Sequence, residues 1–141
     1  MADVIYNSFK ADIMNGNIDL DTDDIYVMLV TSTYVPNIDT HEKRSDITNE
    51  VVGTGYTANG QALAGEVVTI EDGSDLGKFD ATDAQWTTST ITARGAVLYK
   101  NRGGAASLDN LICYFDFGTD KTSTAGNFNL NWNASGILTL T

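Results

Sequence analysis

A single cysteine, Cys113, leaves the chain without an internal disulfide and without a cysteine-clustered zinc site, since either needs at least two thiols. The fold must hold by packing. A single histidine, His41, supplies the one side-chain type that ordinarily titrates near neutrality, so at most one Cys–His pair could exist. Basic residues are scarce: eight against nineteen acidic ones give a net charge of −11, which repels phosphate backbones and anionic headgroups and supplies no counterion release. Nucleic-acid and membrane partners are therefore not expected. No apolar run approaches the ~18 residues that cross a bilayer. The opening MADVIYNSFK lacks the basic and apolar blocks of a secretory signal, so cytoplasmic synthesis is the expectation.

What is present is the grammar of a β protein. With 42% hydrophobic and 19% charged residues, 141 residues are apolar enough to bury one core, and residues 1–141 read as a single domain. Ile5, Phe9 and Ile13 recur at helical spacing, with Asp3 placed to favour the N-terminus and Gly16 to stop the C-terminus. The spacing predicts one short helix over about residues 3–14. Thirteen glycines, one proline and short Thr, Ile, Val and Tyr runs between Asn, Asp and Gly clusters follow it.

Residues 25–31 form a nearly continuous apolar run, the signature of a strand covered on both faces. Residues 32–65 hold the only proline and the only histidine and read as a long surface loop with little regular structure. Residues 66–70 alternate as a strand, broken by the turn 71–75. From Thr90 to Lys100 the odd residues Ile91, Ala93, Gly95, Val97 and Tyr99 share one face, predicted to look inward. Residues 111–117 can pair back on this run as an antiparallel hairpin of open register. Phe128, Leu130 and Trp132 alternate with Asn129 and Asn131, and residues 137–141 form a last strand. The fold class is all-β, a β-sandwich with one short N-terminal helix, its jelly-roll or immunoglobulin-like connectivity open.

Chemistry-bearing patterns are thin. Asp19, Asp21, Asp23 and Asp24 open like a calcium loop, but the position that needs glycine holds Asp24 and the one that needs a bidentate glutamate holds Val30. Gly73 to Lys78 is one residue short of a phosphate loop, and Phe79 stands where a metal-binding hydroxyl belongs. Cys113 lies mid-strand among apolar residues and His41 in a distant polar loop, so no catalytic dyad, cofactor or metal ligand is assigned. Trp86, Trp132 and Tyr114 could stack on sugars, although their neighbours place the two tryptophans in the core. Arg94 and Lys100 fall on the outward face of their strand, to be solvated, ion-paired or met by a partner.

Several stretches together carry a family resemblance: residues 6–10, 15–20, 37–41 (NIDTH), 51–60 (VVGTGYTANG), 90–99 (TITARGAVLY) and 114–120 (YFDFGTD). In this order, and over nearly the whole chain, they resemble small virion proteins of tailed bacteriophages encoded among head genes, most closely capsid decoration, or cement, proteins. Gly95 departs from the group, which commonly has a larger residue there.

The resemblance implies a structural protein with no enzymatic activity and no cofactor, located on the outer capsid surface of the virion and in the host cytoplasm during assembly. Its implied partner is the phage major capsid protein, whose subunits it bridges. Self-association as a dimer or trimer is expected, because a small sandwich exposes strand edges and offers little area alone. A tail or fibre module that binds host-surface carbohydrate is the alternative. The expected capsid contact is Tyr34, Val35, Pro36 and Ile38, apolar residues in an otherwise polar stretch.

Overall fold

The computed structural model describes residues 3–141. Two antiparallel sheets share one apolar layer. The larger has five strands in the order β1 (Val4–Ile5), β7 (Asn110–Leu130), β6 (Ala84–Lys100), β2 (Ile25–Val30) and β3 (Gln61–Ala62); the smaller has three, in the order β4 (Val67–Glu71), β5 (Leu76–Asp80) and β8 (Leu138–Leu140). Phe79 and Ile137 are buried in the same core as β2, β6 and β7, with Leu138 packed against it, so the arrangement is the expected sandwich with a single short helix.

The helix α1 runs from Asn7 to Met14, shorter than the predicted 3–14. Val4 and Ile5 instead pair with Tyr114 and Cys113 as an edge strand, and Tyr6 is the extended residue at which strand becomes helix. Ladder bonds to β7 outcompete an extra helical turn that would have no partner, and helical spacing alone cannot register that. Phe9 and Ile13 do face the core. Asp3 does not cap the helix: its carboxylate accepts the Asp116 N–H at 2.8 Å. Gly16, at φ +73°, ends it as expected, with the Asn17 N–H bonded to the Asp12 carbonyl at 2.8 Å in a Schellman turn.

Strand β2 is covered on both faces, Val27 and Leu29 toward the main core and Met28 and Val30 toward a second cluster with Tyr6, Tyr34, Val97, Tyr99, Leu111 and Tyr114. The expected inward odd face of β6 holds only for its first half. Ile91 and Ala93 enter the main core, but a register shift between Ala93 and Gly95 hands that role to Ala96 and Leu98, and Val97 and Tyr99 turn to the second cluster. A bulge exchanges the faces of everything beyond it.

The runs predicted as separate strands at 111–117 and 128–132 belong mostly to one 21-residue strand, β7. Trp86, outside the strand predicted from Thr90 to Lys100, also lies inside β6, which begins at Ala84. Thr88 and Ala125 take positive φ at irregularities in this long hairpin. Buried Ser89 holds them: its hydroxyl meets that of Ser123 at 2.7 Å and donates to the Gly126 carbonyl at 3.0 Å. Gly95 sits opposite Asp116, and a Cβ there would overlap the Tyr114 ring and lie 2.7 Å from the Phe115 carbonyl oxygen. Glycine at position 95 is thus tied to how Tyr114 packs.

The stretch 32–65 is more structured than its composition suggests. It contains a 3-10 turn (Arg44–Asp46), β3 and bridges from Lys43, Glu50 and Thr54 to other strands, and it buries Tyr34, Val51 and Leu63. Within the VVGTGYTANG motif, the Tyr56 hydroxyl accepts the Leu29 N–H at 2.9 Å and donates to Glu50 at 2.8 Å. Glu50 also accepts the Asn59 N–H, and the Tyr99 hydroxyl donates to the Asn59 carbonyl, both at 2.6 Å. Gly60, at φ +80°, passes so close to the Val27 carbonyl that no Cβ fits. These motif residues fasten a loop to β2.

Candidate interaction surface

The residues that the sequence singles out for chemistry make structural contacts. Cys113 lies in the main core, where burial pushes its thiol pKa well above the ordinary range and leaves it a poor nucleophile. The Asp19–Asp24 carboxylates build their own turn: Asp23 accepts the Asp19 N–H at 2.7 Å, Asp19 accepts the Asp21 N–H at 3.0 Å, and Asp23 pairs with Lys100 at 2.7 Å. Burial works against the charged form of Asp23, but that N–H and Lys100 outweigh it and its pKa falls. Among the described residues no group of three or more His, Cys, Asp or Glu could hold a metal ion. Arg94 is ion-paired locally, 2.8 Å from Asp116.

The Tyr34–Ile38 loop is built from below. Tyr34 is buried, which corrects its place among the contact residues: it is the mount. The Tyr6 hydroxyl donates to the Tyr34 hydroxyl at 2.7 Å, and the latter donates to His41 Nδ1 at 2.9 Å. His41 Nδ1 also accepts the Asn37 N–H at 3.2 Å, which places the ring hydrogen on Nε2. The Tyr34 ring stacks on His41 and meets Tyr114 edge-on. Burial raises both phenols, Tyr34 to about 12 and Tyr6 further.

The NIDTH segment then caps itself. Asn37 Oδ1 accepts the N–H groups of Asp39 and Thr40 at 3.0 and 3.2 Å, and the Asn37 carbonyl accepts the His41 N–H at 3.0 Å. The start of α1 clamps it from the side: Asn7 donates its N–H to the Ile38 carbonyl at 3.1 Å and its side-chain amide to Asp39 at 2.9 Å. The result is a tied turn that leaves Val35 60% and Ile38 37% exposed, with Pro36 half-buried. Three of the four sequence-expected contacts thus share one accessible turn.

The aromatic residues divide. Trp86 is buried, stacked on Tyr56 and edge-on to Phe128, and Tyr114 is buried in the second cluster, so neither is a platform for a sugar. Trp132 is half-buried against Phe115 and donates its indole N–H to the Thr82 carbonyl at 3.1 Å. It lines a groove of about 420 Å³ together with Asn131, Asn133, Ser135 and Ile137.

Sequence reasoning missed a second apolar surface on the smaller sheet, where Val67, Val68, Ile70 and Leu140 are exposed. The adjacent valines of β4 were the available signal, since neighbours on a strand point to opposite faces and a strand covered on one face alone would hide only one of them.

No protein-family model matches the chain, and no curated protein or solved structure matches it.

Proposed function

We propose that this chain is a non-enzymatic virion protein that docks on the outside of a tailed-phage capsid and bridges major capsid protein subunits. The observation that carries the reading is the Val35–Ile38 turn: exposed apolar side chains on a mount locked by Tyr6, Tyr34, His41 and Asn7. A pre-ordered apolar contact loses little conformational entropy on docking, which suits a protein whose role is contact. The phage-like motifs add to it, because NIDTH and the residues around Asn7 are the parts that form this mount.

The mechanism is additive. Each copy makes a modest contact, and many copies spanning neighbouring capsomers oppose the pressure of packed DNA through effective concentration. With a net charge of −11 the protein gains nothing from the genome, so specificity comes from shape-matched apolar contact and complementary charge on the shell.

The test is co-sedimentation with expanded capsids that lack the protein. The wild type should bind and the Val35→Asp, Ile38→Asp variant should not; Val35 is mostly exposed and Ile38 partly so, and unchanged circular dichroism will show that the variant folds. Full binding by the variant rejects the site; binding to host cells with none to capsids rejects the function. The second reading, a tail or fibre module for host carbohydrate, is favoured by the Trp132 groove, and binding to glycans that Trp132→Ala removes would select it.

A further inference from the structure

The five-residue β4 is an outer strand of the smaller sheet, paired with β5 on one side and with no strand on the other among the described residues. The outer strands of the larger sheet, β1 and β3, are two residues each, short enough to offer little to an incoming chain. By contrast β4 reads Val-Val-Thr-Ile-Glu, with Ile70 83% exposed and neither proline nor lysine to guard it. Val68 and Ile70 lie on the face that carries Phe79 and Leu138 into the core, since Val68 is opposite Phe79 and Phe79 opposite Leu138. The next row, Ile70, Gly77 and Leu140, continues that face past the end of the core, with open space over Gly77. The apolar layer therefore runs out into solvent at the strand's free edge.

We infer that this edge pairs with the same edge of a second copy of the chain, antiparallel about a two-fold axis through Thr69, to make a continuous six-stranded sheet. Charge selects the partner. In a protein of net charge −11 this strand has one ionised residue, Glu71, and Lys78 lies 2.7 Å from it. An electrically quiet apolar edge suits another of the same kind better than a charged surface.

Register selects it further. Centring the axis on Thr69 sets Val68 of each copy opposite Ile70 of the other, so all four branched side chains meet on the core face; on the outer face Thr69 meets Thr69, and Val67 meets Glu71, whose charge is already paired with Lys78. Moving the centre by one residue keeps the faces aligned but sets Ile70 against Glu66 or Val68 against Asp72. Moving it by half a residue opposes side chains from different faces. Five residues a side are far fewer than the ~20–30 of a stable interface, so the dimer is weak in dilute solution and forms as concentration rises. None of the Val35–Ile38 turn is used, and the inference stands apart from the capsid reading.

Sedimentation velocity over roughly 10 µM to 1 mM tests it. The wild type should pass from monomer toward dimer. Val68→Lys alone and Ile70→Glu alone should each weaken the dimer by about tenfold or more, because a charge then faces an apolar side chain. Both positions are about half or more exposed, and unchanged circular dichroism will show that the variants fold. Mixing the two variants should restore association, since the introduced lysine then faces the introduced glutamate while the native Ile70 of one copy faces the native Val68 of the other. A wild type that stays monomeric, single variants that associate like the wild type, or a mixture that stays monomeric overturns the inference. Hydrogen-exchange protection of β4 that appears only on capsids also overturns it, assigning the edge to the shell protein.

Discussion

Tyr34 shows how much depends on one hydroxyl. It accepts from Tyr6, donates to His41 and thereby ties the exposed turn to the second cluster. Tyr34→Phe strands the buried Tyr6 hydroxyl and should cost about 1–3 kcal/mol in denaturant unfolding. The raised phenols add a pH signature. A group whose folded pKa lies above its unfolded value of 10 contributes fully below that value and loses the contribution as pH rises through the folded one. Stability should therefore fall from about pH 10 upward, through the folded value of about 12 for Tyr34 and beyond it for Tyr6, Tyr56 and Tyr99, all raised chiefly by burial. Unfolding followed by tyrosinate absorbance checks this. A flat profile to pH 12 would mean that these phenols are solvated.

At the level of elements, one ion pair joins three loops. Arg44 Nε donates to fully buried Asp109 at 2.7 Å, its Nη1 donates to Asn59 at 2.6 Å, and its guanidinium lies 5.3 Å from the centre of the Tyr99 ring. Asp109 also accepts the Arg102 N–H at 2.8 Å, so the 3-10 turn at 44–46, the Asn59 turn and the β6–β7 connection converge there. Removing one partner of a buried pair leaves a charge stranded, so Arg44→Ala should destabilise by about 3–5 kcal/mol. Adding Asp109→Asn to that variant should recover part of the loss, because the stranded charge goes with it. Equal unfolding midpoints for single and double variants would show that charge is not what matters at this junction.

For the molecule as a whole, acidity and apolar contact pull in opposite directions. Two copies of charge −11 repel at long range, while the β4 edge and the Val35–Ile38 turn attract only on contact. Raising salt from ~0.01 M to ~0.15 M shortens the screening length from ~30 Å to ~8 Å and weakens only the repulsion. Self-association should therefore tighten by several-fold over that range, as sedimentation will show. An association that weakens with salt would point to a contact made by opposite charges.

Alternation and composition sufficed for the local features: the all-β class, the helix face of Phe9 and Ile13, the Gly16 stop, the doubly covered run read at 25–31, of which 25–30 form β2, and an accessible apolar turn at Val35 and Ile38. These depend on neighbours in the chain, and the chain displays them. Tertiary structure alone decided the rest. Val4 and Ile5 became a strand because Cys113 and Tyr114 were there to pair with, and β6 exchanged its faces because a register shift at Ala93–Gly95 displaced its partner. Tyr34 went inside while Val35 stayed out because Tyr6, 28 residues away, and His41, seven residues on in the same loop, meet its hydroxyl. The free edge of β4 emerged only once the order β4, β5, β8 was known, since a strand's own residues do not say which of its two sides will find a partner.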